Sequence, residues 1–336
     1  MRLLVTGGCG FIGSNFIRYW LNKYPEDFIL NFDLLTYAGN PENLADIVFN
    51  PHYKFIQGDI RNFELINHIL KEFKIEVIVN FAAESHNSNA IMNPGIFFQT
   101  NVLGTQTLLE AARKNNIKRF HHISTCEVYG DISLESQEKF TETSPYKPRT
   151  PYNASKAAAD MILRAYFYTF NVPITISNCC NNYGPYQFPE KLIPLFVTNL
   201  LNNKEIPIYK SSQNKREWIH VLDHCKAVEL ILKYGKIGET YNVGSGVEKS
   251  VEEITSIILN FLGKPESLKK YVEDRPGHDR RYLLDSTKIQ KELSWYPEIS
   301  FEEGIKKTIL WYEENKKWWE PLIEKMQVKE TEWGEK

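Results

Sequence analysis

Two groups of residues in this chain have types and spacings suited to redox chemistry on a hydroxyl group. In the run Tyr152-Asn153-Ala154-Ser155-Lys156, a phenol and an ammonium stand at i and i+4 on one face of a helical pattern. A cation near a phenol favours the phenolate, which can take a hydroxyl proton as a hydride leaves the same carbon. Such a pair is common by chance on helices, and its weight comes from the run Thr6-Gly7-Gly8-Cys9-Gly10-Phe11-Ile12-Gly13 upstream. The Gly7-x-x-Gly10-x-x-Gly13 spacing follows a strand pattern and opens a helix. Glycines there turn tightly, admit a pyrophosphate to the backbone and let helix pack on strand, while the helix N-terminus favours negative charge. Asp33 ends the next strand about 20 residues further on, where a carboxylate hydrogen-bonds an adenosine ribose diol and repels a 2′-phosphate. NAD is therefore the expected cofactor. Gly58-Asp59-Ile60-Arg61 after the third strand reads either as a neighbour of the adenine or as an ordinary turn.

These groups need rigid elements beneath them. Strand and helix patterns alternate from the start: Leu3-Leu4-Val5, a helix from Phe11 to Tyr24, Phe28 to Phe32, Lys54 to Gln57, a helix from Leu65 to Phe73, and Val77 to Phe81. A helix is expected from about Ile96 to Asn115, then the apolar strand Phe120 to Ser124, a helix from Tyr152 to Phe170 and the strand Ile174 to Ser177. Pro185, Pro189, Pro194 and Pro207 then interrupt the pattern and mark a change of architecture near residue 180. Ile206 to Tyr209, a helix from Val251 to Leu262 and Lys269 to Glu273 suit a smaller unit. The expected class is α/β: a modified Rossmann fold, with a parallel sheet of about seven strands and helices on both faces, plus a smaller C-terminal α/β substrate domain. The NAD-binding unit is expected over residues 1–178 with about 216–243, and the second over about 179–215 with 244–330. The active site belongs in the crevice between them.

Length and composition agree with an enzyme of this kind. The 336 residues can bury a sizeable core, and 42% hydrophobic with 24% charged residues are ordinary globular values. A net charge of −2 offers no field for gripping DNA or acidic membranes, so neither nucleic acid nor a membrane is an expected partner. The start of the chain carries no signal-like segment and no apolar run reaches spanning length, so a cytoplasmic location is expected. Five cysteines (Cys9, Cys126, Cys179, Cys180, Cys225) lack metal-ligand spacing, and no metal is expected. The tail after Trp311 reads as a final amphipathic helix and a frayed end.

Longer motifs carry a resemblance. Asp33-Leu34-Leu35-Thr36-Tyr37-Ala38-Gly39-Asn40, Phe81-Ala82-Ala83-Glu84-Ser85-His86, Ser124-Thr125-Cys126-Glu127-Val128-Tyr129-Gly130, Asn181-Asn182-Tyr183-Gly184-Pro185 and Asp274-Arg275-Pro276-Gly277-His278-Asp279-Arg280-Arg281-Tyr282 join the glycine turn and the Tyr/Lys pair. Together they cover nearly the whole chain, which resembles the extended short-chain dehydrogenase/reductases and, among them, nucleotide-sugar dehydratases of the dTDP-glucose 4,6-dehydratase type. The resemblance implies that Thr125, Tyr152 and Lys156 oxidise sugar C4, and that Glu127 takes the C5 proton once C4 is a ketone. It places Gly7, Gly10, Phe11, Ile12, Gly13, Asp33, Thr36, Asp59, Ile60, Ala82, Ala83, Tyr152, Lys156 and Asn182 against NAD, with Asn182 at the nicotinamide. It places Ser85, His86, Asn87, Thr125, Asn181, Lys191, Leu192, Pro207, Tyr209, Arg216, Asn242, Arg275 and His278 against a UDP- or dTDP-linked hexose. Lys191 and Arg216 make physical sense as phosphate partners, although Arg216 with Glu217 also reads as a solvated surface pair. A homodimer is implied, through a four-helix bundle formed by the helices at about 96–115 and 152–170.

The chain departs from that pattern on the sugar side. Relatives carry an aspartic acid before the glutamate, which protonates the departing C6 hydroxyl; here the residue is Cys126, either a much weaker acid or simply a buried small hydrophobe. Asn87-Ser88-Asn89-Ala90 stands where relatives read Val-Asp-Arg-Ser, and Asn178 replaces a usual arginine. With Cys126 counted as catalytic beside Thr125, Glu127, Tyr152 and Lys156, one expectation is a substrate already lacking its C6 hydroxyl. Oxidation at C4 would turn a 5,6-alkene into an enone, a hydride would return to C6, and Cys126 or Glu127 would protonate C5. That chemistry resembles the conversion of UDP-6-deoxy-GlcNAc-5,6-ene to UDP-4-keto-6-deoxy-L-AltNAc in pseudaminic acid formation. The alternatives are a conventional dTDP/UDP-glucose or UDP-GlcNAc 4,6-dehydratase and a sugar-nucleotide 4-epimerase, which would not need Glu127; a non-enzymatic NAD-binding protein fits least.

Overall fold

Alternating apolar residues build the central layer. The computed structural model describes residues 1–327, so the frayed end expected at the terminus lies outside the described residues. Strands β1 (Arg2–Thr6), β2 (Phe28–Asp33), β3 (Tyr53–Gln57), β4 (Val77–Asn80), β5 (Arg119–Thr125), β6 (Ile174–Cys179), β7 (Asn181–Tyr183), β8 (Ile206–Tyr209), β9 (Lys215–His220), β10 (Thr240–Val243), β11 (Glu248–Ser250) and β12 (Lys269–Val272) are present. Seven of them form one sheet in the order β10-β6-β5-β4-β1-β2-β3, parallel throughout. Within β1, Leu3 and Val5 face one apolar layer with Phe16 and Trp20, while Leu4 faces the other with Leu30, Ile78 and Phe120. This period of two, with both faces buried, is what helices on both sides of a parallel sheet require.

After residue 180 the chain builds a second unit around Ile193, Phe196, Ile206, Ile208, Trp218, Ile254 and Ile258. It contains the small sheets β11-β9-β7 and β12-β8. The helix Val221–Tyr234 and strand β10, which the sequence patterns did not single out, return to the large sheet. The tail forms two helices, Phe301–Glu314 and Lys316–Ile323. The second ties back to the first unit: Trp318 Nε1 donates to Asn43 Oδ1 at 2.9 Å, and Asn43 Nδ2 donates to the Cys9 carbonyl at 2.9 Å. Trp311 and Trp318 both pack on Tyr186, whose φ of 68° is unusual for a bulky side chain. No helix among the described residues is long and apolar enough to cross a membrane.

Two expectations about elements need correction. The helix expected from about Ile96 to Asn115 is three segments, Pro94–Phe97, a π-helical stretch Phe98–Gly104, and Thr105–Lys114. The wide turn carries Asn101 inward, where its side chain accepts from Glu84 N at 2.9 Å and donates to the Glu84 carbonyl at 3.0 Å and to Ser155 Oγ at 2.8 Å. Strand β5 is not simply apolar, because His121 and His122 are fully buried in it.

The sheet reverses strand order between β1 and β4, and the first glycine turn lies at that point. A Cβ on Gly13 would stand 2.4 Å from the Gly7 carbonyl oxygen and 2.8 Å from Gly8 Cα, both backbone atoms. Gly13→Ala should therefore destabilise the protein by about 1–3 kcal/mol and weaken NAD binding. Thermal melting with and without NAD checks this; unchanged melting would show that the turn relaxes.

Candidate active site

Beyond the carboxyl ends of the strands, a cavity begins at the glycine turn. Gly7 has φ 67°, and a Cβ there would lie 2.6 Å from Ala82 N. The helix Phe11–Lys23 starts from Gly10 with no side-chain cap and no acidic residue in its first turn. Its first amide groups are left for an anion, and Gly10, Phe11, Ile12 and Gly13 line the cavity. At the end of β2, Asp33 accepts the amide hydrogens of Cys9 and Leu35 at 2.9 and 2.8 Å, while burial raises its carboxyl above the ordinary range. The cavity continues past Thr36, Asp59, Ile60, Ala82, Ala83, Thr125, Tyr152 and Lys156 to Asn182. An uncapped helix end, a glycine cradle that a Cβ would fill and a carboxylate at the ribose position fit NAD.

The catalytic helix Pro151–Phe170 is capped by Thr150, whose hydroxyl oxygen accepts from Asn153 N at 3.2 Å, with Pro151 in its first turn. One turn in, Lys156 is buried. Its ammonium donates to the Ile123 carbonyl at 2.5 Å and lies 3.3 Å from His122 Nε2. Burial pulls Lys156 down to about 8, against the opposing charge of Asp160. Asp160 is itself pushed up to about 6 by burial, and accepts from Ser124 Oγ at 2.8 Å and Tyr146 OH at 3.0 Å. His122 Nδ1 meets Asn80 Nδ2 at 3.0 Å, and Thr6 Oγ1 donates to Asn80 Oδ1 at 2.6 Å. Burial, then the charge of Glu127, raises the Tyr152 phenol well above its usual value, and a hydrogen bond from Thr125 acts the other way. The Lys156 ammonium, expected to favour the phenolate, is turned to a carbonyl and an imidazole in this arrangement.

A second cavity adjoins the first and shares Ser85, Glu127, Asn181, Asn182 and Lys191 with it. His86, Asn87, Leu192, Pro207, Tyr209, Arg216, Arg275 and His278 of the expected set also line it, while Thr125 lines the first cavity. The His278 ring lies edge-on to Tyr209 with centroids 5.0 Å apart, and Lys191 Nζ donates to the Ser85 carbonyl at 2.9 Å. Arg216 donates to the Asp279 carbonyl at 2.7 Å, and its guanidinium stands 4.8 Å from the Tyr282 ring. It is not part of a solvated pair: Arg216 is 7% exposed, and Glu217 is fully buried on the amides of Gly246 and Leu284.

Two expected residues do not join the site. Cys126 lines neither cavity; it is 1% exposed and packs in the core with Val128, Tyr129, Cys179 and Cys180. Burial and the neighbouring Glu127 push its thiol well up, so that it keeps its proton in this arrangement. Asn242 also lies outside both cavities, accepting from Tyr129 OH at 2.8 Å and donating to the Phe140 carbonyl at 2.8 Å. Conversely, the structure adds residues that sequence reasoning missed. Glu190 lines both cavities and accepts from Tyr37 OH at 2.7 Å, and Glu84, raised by burial and by Glu190, faces the first cavity. His122 and Asp160 stand behind Lys156; the available signal was polar residues inside otherwise apolar patterns.

With this geometry in view, comparisons with known proteins agree with one another. The sequence model of the family described as GDP-mannose 4,6 dehydratase matches residues 4–308. The chain is 45% identical over 336 residues to a dTDP-glucose 4,6-dehydratase of Mycobacterium tuberculosis (strain CDC 1551 / Oshkosh), covering 100% of both. It is 49% identical over 312 residues to the low-salt glycan biosynthesis protein Agl12 of Haloferax volcanii, covering 93% of this chain and 98% of that one. Among solved structures, DesIV, a dTDP-glucose 4,6-dehydratase from Streptomyces venezuelae with NAD and TYD bound, superposes with a TM-score of 0.93 at 49% identity, covering 96% of this chain and 100% of that one.

Asn182, at the junction of the cavities, is held from behind: its Nδ2 donates to the Cys180 carbonyl at 3.0 Å, and its Oδ1 faces His224 Nδ1 at 2.9 Å. Burial pulls His224 down to about 4. Because the unfolded chain binds this proton near the ordinary value of about 6.5, stability credited to His224 is lost as pH falls from about 6.5 towards 4, at about 1.4 kcal/mol per pH unit. The stability advantage of wild type over His224→Gln should therefore shrink over that interval in denaturant melts. Parallel curves for the two proteins would refute a neutral, buried His224.

Proposed function

The chain belongs to the GDP-mannose 4,6 dehydratase family of NAD-dependent nucleotide-sugar enzymes, and from that premise we propose that it converts dTDP-glucose to the 4-keto-6-deoxy sugar with loss of water. The observation that carries this reading is the position of Glu127, which lines both the cofactor cavity and the adjoining one, beside Thr125 and Tyr152. When bound, NAD supplies the hydride acceptor. Tyr152, hydrogen-bonded by Thr125, takes the proton of the C4 hydroxyl, and Lys156 provides the fixed positive charge behind it. A C4 ketone makes the C5 proton acidic, and Glu127 removes it. Since Cys126 is sealed in the core, the carboxyl that gains this proton can pass it to the C6 oxygen as water leaves; return of the C4 hydride to C6, with a proton delivered to C5 by way of Glu127, would complete the 4-keto-6-deoxy sugar. Lys191, where the two cavities meet, and Arg216 and Arg275 in the second cavity supply charge for the diphosphate.

A second reading keeps the unsaturated UDP-linked N-acetylhexosamine as substrate, and Cys126 in place of a carboxylic acid is the observation that favours it. Purified enzyme offered dTDP-glucose, UDP-GlcNAc and UDP-6-deoxy-GlcNAc-5,6-ene separates the two by mass spectrometry. Loss of one water from dTDP-glucose is expected; conversion of the 5,6-ene alone to an isomer of equal mass would replace this reading with the second. Glu127→Gln should lower turnover of dTDP-glucose by about 100-fold or more, whereas an unaffected variant would point to a C4 epimerase.

The reading includes a division of labour, with residues 1–178 and about 216–243 mainly holding NAD and about 179–215 with 244–330 mainly holding the nucleotide sugar, except that Arg216 on β9 falls on the sugar side. It also includes a homodimer. Met161 and Tyr168, at i and i+7 on the catalytic helix, are 49% and 78% exposed, and Phe98 and Leu103 on the preceding segment are exposed as well. A lysine at Met161 together with one at Leu103 should convert a dimer to monomers in light scattering; a wild type already monomeric would end this part of the reading.

A further inference from the structure

Glu127 is not held by its own backbone alone. Thr150 spends an oxygen lone pair on the amide of Asn153 at the start of the catalytic helix, and its hydroxyl hydrogen then donates to Asn87 Oδ1 at 2.7 Å. That contact fixes which end of the Asn87 amide faces Thr150. The other end, Nδ2, donates to Glu127 Oε2 at 2.9 Å. A line of hydrogen bonds thus runs from the cap of the helix bearing Tyr152 and Lys156, through the first residue of the helix Asn87–Met92, to the carboxylate at the junction of the two cavities.

We propose that Asn87 is a positioning residue for the C5 proton transfer: clamped by Thr150, its amide holds the Glu127 carboxylate at the angle from which it reaches the sugar. The proposal rests on the reading of Glu127 as the C5 base. It gives Asn87 a different task from contacting the substrate. The geometry also ties the two halves of the reaction together, because the residue that caps the oxidising helix also orients the amide that aims the base. Loss of the clamp leaves the Tyr152 and Lys156 machinery in place and frees the Glu127 side chain to rotate.

The test uses NAD-loaded wild type and Asn87→Val, which removes the amide donor, with dTDP-glucose in deuterated water. Single-turnover absorbance of reduced nicotinamide reads oxidation at C4, and proton NMR with mass spectrometry reads deuterium entry at C5 and water loss. Oxidation should stay within about twofold of wild type while C5 exchange and water loss fall about tenfold or more, the scale of a lost hydrogen bond to a charged group. Unchanged C5 exchange overturns the proposal, and so does an equal fall in both steps, which is what a purely structural role gives. A wild type that oxidises none of the sugar overturns the substrate reading instead. The carboxylate stretch of Glu127, isolated by infrared difference against Glu127→Gln, then decides: a shifted band in Asn87→Val supports the clamp, and an unshifted band overturns it. If valine unfolds the short helix, Asn87→Leu removes the same donor and is read by the same outcomes.

Discussion

Lys156 must keep a positive charge where almost no water reaches, and the surrounding structure depends on how that is done. The ammonium finds a backbone carbonyl on β5 and, behind it, a row of polar side chains running across three strands. The row is a product of sheet register: Thr6 pairs with Asn80, and Asn80 pairs with His122, so all three side chains emerge side by side on one face. A slip of one residue in any of these strands would send a side chain to the opposite layer and leave a buried polar group without a partner. Asp160, one helical turn beyond Lys156, supplies the compensating charge, and Ser124 and Tyr146 satisfy one of its oxygens. Polar satisfaction and strand register are therefore a single constraint here.

The parts of this arrangement that sequence made legible are those set by local chemistry. The glycine turn, Asp33 and the Tyr/Lys pair each declare themselves within a few residues, and the alternation of strands and helices gave the seven-stranded parallel sheet. What escaped depends on long-range contact. Asn101 reaches Glu84 and Ser155 only because the helix widens into a π turn, which no periodicity announces. Asn242 looked like a substrate ligand by motif position, yet it braces Tyr129 and Phe140. Cys126 sits between two residues that line the cavities and still faces the core, because the 3-10 turn Cys126–Tyr129 points neighbouring side chains in different directions. The adjacent Arg216 and Glu217 were legible as charges but not as buried ones, since burial is decided by Tyr282 and by the amides of Gly246 and Leu284.

The departures on the sugar side acquire a shared physical meaning. The Cys126 thiol is withdrawn from solvent, and neutral amides stand at 87, 89 and 178. Asn178 donates to Tyr129 OH at 2.7 Å and Asn89 to Tyr37 OH at 2.9 Å, so each new amide is built into a hydrogen-bonded frame. Fixed donors of this kind favour orientation of what they contact.

The final helix carries a separate implication. Trp318 hooks Asn43, and Asn43 holds the carbonyl of Cys9 inside the glycine turn, so the end of the chain is fastened to the loop that would cradle the pyrophosphate. The same tryptophan presses on Tyr186, four residues before Glu190 in the other wall of the cavity. One indole therefore acts as a buckle between the floor and the wall of the site. A shift of the helix Lys316–Ile323 would therefore be felt on both sides of the cavity at once.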